Sequence, residues 1–341
     1  MLRNKALDLS IIALSAQRLA LNRGNAALHI MSLTAYNNSI SLYRGTVQKS
    51  SNSGLAAMLA VISTVYALVD SCLNPPVDMA NFSWGSSGHF DGALALMRQS
   101  GPTQFSKDGF HLVFKKIREM GFFLALSRRQ KTFLSKDEWM SSPWAAQPKT
   151  WRDKLYDLAL RFSELVVNDG GVNESPDCLG ISQERIGEAL GIEAGLARWR
   201  SLWLNEAYPH QQISCDCQSP AAFSCICSVL LLEFPSNDFA LLQIECWSLQ
   251  LLISTTLSRL SGPELDLTSS WIKMLPTRSS QIASYMETAS ALPALRSTSH
   301  MTSGVTEGFC RNIFPYWILK KYQADAIRAS PPNLQHQIAT K

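Results

Sequence analysis

The sequence predicts an all-α protein, a multi-helix bundle or α-solenoid-like array of antiparallel helix pairs. Three observations lead there. Nearly every apolar segment repeats its large side chains at three- and four-residue spacing, the period of one helix face. No stretch alternates apolar and polar residues for long enough to make a strand. Clusters of Gly, Pro, Asn and Ser separate segments of helix length.

The elements follow in order. Leu7–Leu21 has helical apolar spacing and stops at Arg23-Gly24-Asn25. Ala26–Val47 is a second helix, with Tyr36 and Tyr43 on one side. Leu55, Met58, Leu59, Ile62, Tyr66 and Val69 form the stripe of a third, closed by Asn74-Pro75-Pro76. His89–Ser100 is a short helix ended by Gly101-Pro102, because proline cannot continue the backbone ladder. Phe110–Leu126 is expected to turn Leu112, Ile117, Met120 and Leu124 inward. Ser135, with Glu138 three residues on, has the spacing of a capping box, and Pro143 cuts the following helix short.

Trp151, Leu155, Leu158, Phe162 and Leu165 mark the next helix, which Asn168-Asp169-Gly170-Gly171 stops. Residues 170–182 are polar and carry Gly and Pro, so they are expected to link a helical half at 1–169 to another at 183–330. In the second half, Ser182 is placed to cap a helix through Leu204 with Leu196, Trp199 and Trp203 on one face. Tyr208–Ala222 is irregular, and Ser236-Asn237-Asp238 can cap Phe239–Leu260, which is apolar almost all round and suits a bundle centre. Gln281–Leu292 and Thr302–Tyr322, the latter interrupted at Pro315, complete the folded part, and 331–341 is expected to be a disordered tail.

Composition limits the function classes. Hydrophobic residues make up 46% and charged residues 17% of 341 residues, which excludes a disordered chain and supplies a large core. A net charge of +4 with scattered basic residues lacks the concentrated stripe that counterion-driven DNA binding requires. Ser50–Val69 and Phe239–Leu257 are marginal in length and apolarity for membrane spans and read better as buried helices, and no membrane association is expected. Met1–Ala20 is interrupted by Gln17 and Arg18 and reads as a helix, not a secretory signal. Eight cysteines without such a signal suit free thiols, with Cys72, Cys246 and Cys310 as small core residues.

Each candidate for chemistry has a structural alternative. Cys215, Cys217, Cys225 and Cys227 could hold a tetrahedral zinc or form a redox pair. Their C-x-C spacing is tighter than usual for zinc, and the second pair runs into an apolar segment, so unligated thiols are favoured and no metal or other cofactor is assigned. His89 with Asp91 invites an acid–base reading, but both begin a helix, where a cap or surface role suffices. Arg128, Arg129 and Lys131, backed by Lys115, Lys116 and Arg118, form the densest basic patch, read as a solvated helix face with its arginines at a helix end. Trp139, Trp144, Trp151, Trp199, Trp203, Trp247 and Trp317 could line a ligand pocket, but core packing is the default. No P-loop, G-x-G-x-x-G, G-x-S-x-G or H-E-x-x-H occurs, and no Asp-rich motif suits a terpene cyclase. No catalytic, cofactor-binding or metal residue is therefore assigned, and an enzyme is not expected.

One stretch carries a family resemblance. His89-Phe90-Asp91-Gly92-Ala93-Leu94, Arg98-Gln99-Ser100-Gly101-Pro102, Arg128-Arg129-Gln130-Lys131-Thr132-Phe133-Leu134-Ser135, Glu138-Trp139 and Pro143-Trp144 follow one another in order. This resembles the middle of the large regulatory region of fungal zinc-cluster transcription factors. Tyr36, Tyr43, Leu55–Leu68, Phe234-Pro235-Ser236 with Ala240 and Trp247, and Ile282–Leu295 with Phe314-Pro315 add weaker echoes. The family's six-cysteine cluster has no counterpart here, since the chain contains no C-x2-C. The resemblance implies a nuclear transcription regulator working through protein or effector contacts, such as control of a secondary-metabolite gene cluster. Its implied partners are a full-length zinc-cluster factor or the transcription machinery, as a homo- or heterodimer, with direct DNA binding doubtful. The competing readings are a helical protein-interaction scaffold and an all-α small-molecule-binding protein.

Overall fold

A computed structural model describes residues 4–47, 53–73, 88–167, 178–207 and 236–260, with isolated positions from 279 to 286 and at 318 and 322. All regular structure among these residues is helical, so the chain is all-α. The described residues divide into two compact units, one through Tyr156 and one from Asp157 onward.

In the first unit, α1 (Lys5–Arg23) and α2 (Ala26–Val47) form a hairpin. Asn4 Oδ1 accepts from the Ala6 and Leu7 amides, which satisfies donors that a helix start leaves orphaned. Gly24 closes α1 in the left-handed conformation at φ 60°, and Asn25 then caps α2 through Ala27 and Leu28. The two helices touch through small residues. The Ser32 hydroxyl donates to the Ala13 carbonyl at 2.8 Å, and the Ser39 hydroxyl donates to that of Ala6. Rising numbers on α2 meet falling numbers on α1, so the pair is antiparallel.

Next come α3 (Ser53–Leu73) and α4 (Gly88–Ser100). Buried Ala6, Leu59, Ile62 and Tyr66 form a core against which Leu7, Tyr36, Ile40, Tyr43, Leu55, Met58 and Leu96 pack. Full burial of side chains such as Leu59 and Ile62 is worth roughly 1.5–3 kcal/mol each. A 3-10 turn at Pro102–Ser106 leads to α5 (Asp108–Arg128), and short turns around α6 (Asp137–Ser141) lead to α7 (Trp151–Val167).

The second unit contains the end of α7, α8 (Cys178–Ala207) and α9 (Asn237–Leu260). Trp199 stacks on Trp203 at 5.1 Å, and Trp203 stacks on Phe239 at 4.4 Å, which joins α8 to α9. The Ser236 hydroxyl accepts from the Phe239 amide at 3.2 Å and caps α9 as its sequence position suggests. Every residue from Gln243 to Leu251 is buried, more than two full turns, which places α9 at the centre of its unit.

Three local expectations are corrected. Leu112 points outward, with 70% of its surface exposed, while Ile117, Met120 and Leu124 are buried. Ser135 does not cap a helix: its hydroxyl donates to the Thr132 carbonyl, and α6 starts from Lys136 without a side-chain cap. Thr132 is the capping residue here, accepting from the Leu134 amide at 3.3 Å. α8 starts at Cys178, so residues 178–182 of the expected linker are helical and Ser182 is not its cap. The segments Ser53–Leu73 and Asp238–Leu260 are long and apolar enough to cross a membrane, yet 67% and 78% of their most apolar windows are buried inside the protein.

Candidate functional site

The strongest polar cluster of the first unit joins α2, α3 and α4. Tyr36 and Tyr43 lie seven residues apart, two helical turns, and therefore share a face of α2. Tyr66 and Asp70 sit one turn apart on α3, and His89 opens α4. The Tyr36 hydroxyl donates to Asp70 Oδ1 at 2.7 Å. With its only proton so used, the Tyr36 oxygen accepts from His89 Nε2 at 2.9 Å, which assigns the proton of that imidazole to Nε2. His89 Nε2 also lies 3.7 Å from Asp70 Oδ2. Tyr66 donates to the Ser39 hydroxyl at 2.7 Å, since Ser39 gives its proton to Ala6, and Tyr43 bonds Ser63. The rings meet edge-on, Tyr36 to Tyr66 at 5.4 Å and Tyr43 to Tyr66 at 5.5 Å.

Electrostatics decides what this cluster can do. Burial, and then the hydrogen bond and charge of Asp70, push the Tyr36 phenol far above its ordinary range. Burial pushes Tyr66 up to about 12 and also raises Tyr43, against the opposing hydrogen bonds of Ser39 and Ser63. Phenols raised in this way stay protonated at neutral pH. The cluster ties three helices together through neutral hydroxyls.

The segment that carries the family resemblance forms one connected piece of packing. Asp91 does not join His89. It pairs with Arg128 Nη1 at 2.7 Å, bringing the start of α4 to the end of α5. Arg98 lies 4.7 Å over the Phe133 ring. Gly101 adopts φ 80° and ψ 159°, a region only glycine occupies readily, and so turns the chain into Pro102. Phe133 meets Trp139 edge-on at 4.8 Å, and Trp139 also packs on Phe105 and Phe114. A side chain at Gly121 would collide with buried Leu134, so this mid-helix glycine makes room for the Thr-Phe-Leu-Ser segment.

The basic patch is largely matched by acids. Lys115 reaches Asp153 at 3.1 Å, and Glu119 holds Lys116 at 2.9 Å and Arg152 at 3.3 Å. Arg118 is buried and donates to the Asp153 carbonyl at 2.9 Å. Sequence reasoning missed His111, which is buried, lies 3.2 Å from the Phe105 carbonyl through Nδ1, and meets Trp144 edge-on at 4.6 Å. Its one sequence signal was its place at the start of α5, three residues before Phe114.

Of the tryptophans, Trp139, Trp144, Trp199, Trp203 and Trp247 are buried in helix packing and Trp151 is partly buried, while Trp317 lies outside the described residues. Cys72 and Cys246 are buried free thiols, and burial pushes Cys246 up to about 12 against the opposing charge of Arg200. Cys215, Cys217, Cys225, Cys227 and Cys310 lie outside the described residues. Among the described residues, no group of three or more His, Cys, Asp or Glu is placed to hold a metal ion.

The centre of the second unit is more polar than its sequence suggests. Gln243, Gln250 and Ser254 lie within a narrow sector of α9, at seven- and four-residue spacing, and all three are buried. Gln243 Nε2, Gln250 Oε1 and Ser254 Oγ make no hydrogen bond within the protein. In comparisons with known proteins, no family model, no curated protein and no solved structure matches this chain.

Proposed function

We propose that this chain is a transcription regulator of the kind its resemblance to fungal zinc-cluster factors implies, acting in the nucleus through protein or effector contacts. The observation that carries the reading is the mutual packing of His89–Trp144. The spaced residues that make the resemblance are one another's partners: Asp91 with Arg128, Arg98 with Phe133, and Phe133 with Trp139. Residues that hold one another in place in this way fit an architectural role for the motif, which supports the reading. The phenols of the Tyr36 cluster, held protonated, support the same non-enzymatic reading.

Action through contacts other than DNA draws support from the charge pattern, because Lys115, Lys116 and Arg128 of the densest basic patch are engaged by Asp153, Glu119 and Asp91. The effector half draws support from α9, where Gln243, Gln250 and Ser254 hold buried polar atoms without protein partners. A gel-shift titration with the purified chain tests the contact mode. The expected result is weak, sequence-indifferent binding that added salt abolishes, and tight sequence-selective binding would overturn it.

A further inference from the structure

We infer that the polar sector of α9 binds a small, uncharged, fused aromatic molecule of the lactam type, with one hydrogen-bond acceptor and one donor on opposite edges. Gln243, Gln250 and Ser254 fall within about 40° of one another around the helix, at 3.6 residues per turn. Gln243 and Gln250 expose 3% of their surface and Ser254 none. Gln243 Nε2, Gln250 Oε1 and Ser254 Oγ have no hydrogen-bond partner within the protein. Folded proteins pair nearly all such buried groups, because an unpaired one loses its hydration without compensation.

Ser254 makes the observation sharper. On the same helix the Ser248 hydroxyl donates to the Ile244 carbonyl at 2.7 Å, and the Thr255 hydroxyl to that of Leu252 at 3.0 Å. A helical serine has this local bond within reach, and Ser254 does not make it. Three such atoms on one stripe point to a partner that the chain does not itself supply.

Charge and spacing select the class of that partner. The charged residues of α9 are Asp238, Glu245 and Arg259, and all lie about 140–160° around the axis from Gln243. An ionised ligand group on the polar sector would be buried with no counter-charge from this helix, which is costly, so the ligand is neutral. Gln243 and Gln250 lie about 10 Å apart along the axis at 1.5 Å rise per residue. Helical side chains lean the same way, so the two amides keep that spacing. Two hydrogen bonds of about 2.9 Å leave about 5 Å between the ligand's acceptor and its donor, close to the width of one aromatic ring. A single water cannot bridge that distance. A body joining the two amides passes Trp247, fully buried between them in sequence and in the same sector, which favours a flat aromatic framework. Ser254, one turn beyond Gln250, can donate to or accept from a further polar group. As an effector site this rests on the regulatory reading, whereas as a ligand site it is tested by binding alone.

The probe is acridone, a neutral three-ring lactam with its carbonyl and N–H on opposite edges of the central ring. The full chain should bind it saturably in the micromolar range, read by acridone fluorescence anisotropy. Xanthone, which keeps the carbonyl but has oxygen in place of the N–H, should compete at least tenfold more weakly, because it leaves Gln250 unpaired. Gln250→Met should erase that difference, and Gln243→Met should weaken both compounds. Without ligand, Gln250→Met and Ser254→Ala should melt at or above the parent's temperature, since each removes a buried group that has no partner. Absence of saturable acridone binding, equal binding of acridone and xanthone, or binding indifferent to both glutamine substitutions would each overturn the proposal. Lower melting temperatures for both Gln250→Met and Ser254→Ala would also overturn it, as the result expected if ordered water completes these atoms. Saturable, Gln250-dependent binding by a chain without transcriptional effect would support the site and count against the regulatory reading.

Discussion

Arg129 shows how far a single residue can depart from its preferred chemistry. It ends α5 in the left-handed conformation at φ 51°, with its amide reaching the Leu126 carbonyl and the Gln130 amide reaching that of Ala125. This is the two-bond C-terminal motif that glycine usually serves. Arg129→Gly should stabilise the protein by about 1 kcal/mol, because a side chain in the left-handed region costs roughly 1–2 kcal/mol, less the greater chain entropy that glycine loses on folding. Chemical denaturation measures it, and an unchanged or lower stability would show that the arginine side chain contributes more than its backbone costs. The arginine pair was visible in sequence as a helix-end signal, but the division of labour was not. Arg128 reaches across to Asp91, while Arg129 only bends the chain. Leu112 and Ser135 misled for a related reason. Periodicity says which residues share a face, not whether a neighbour covers it, and the capping spacing at Ser135 competes with a 3-10 turn already capped by Thr132.

Among the helices, α2, α3 and α4 are joined by hydroxyls that must stay protonated. Tyr36, Tyr43 and Tyr66 all have phenols raised by burial. A group whose folded pKa lies above its unfolded value contributes stability that is complete below the unfolded value, near 10 for tyrosine, and is lost as pH rises through the folded one. For Tyr66 that window closes at about 12. Circular dichroism with tyrosinate absorbance should show loss of helix packing developing across this alkaline window, with part of the late-titrating absorbance missing in Tyr66→Phe. Titration of every tyrosine near 10 with the packing intact would contradict the assignment. The helices themselves were legible: Ala26–Val47 agrees to the residue, because Gly24 and Asn25 sharply mark its start. The cluster was not legible, since it joins residues 34 and 53 positions apart and no local pattern announces such partners. On α9 the apolar count hid Gln243, Gln250 and Ser254, whose common sector emerges only when their positions are projected around the helix axis.

The molecule as a whole is all-α, and in its first unit α1 and α2 pair antiparallel, as the breaker at Gly24-Asn25 predicts. What composition cannot supply is the role of that array. The regulatory reading rests on the ordered residues from His89 to Trp144, on their being each other's partners, and on basic residues engaged within the chain. The most direct test is to tether the full chain to a heterologous DNA-binding domain in fungal cells and measure a reporter carrying that domain's operator. The account predicts a change in reporter output that depends on the tether and survives Arg129→Gly, which leaves the packing in place. A nuclear, folded fusion that leaves the reporter at the level of the DNA-binding domain alone would contradict it.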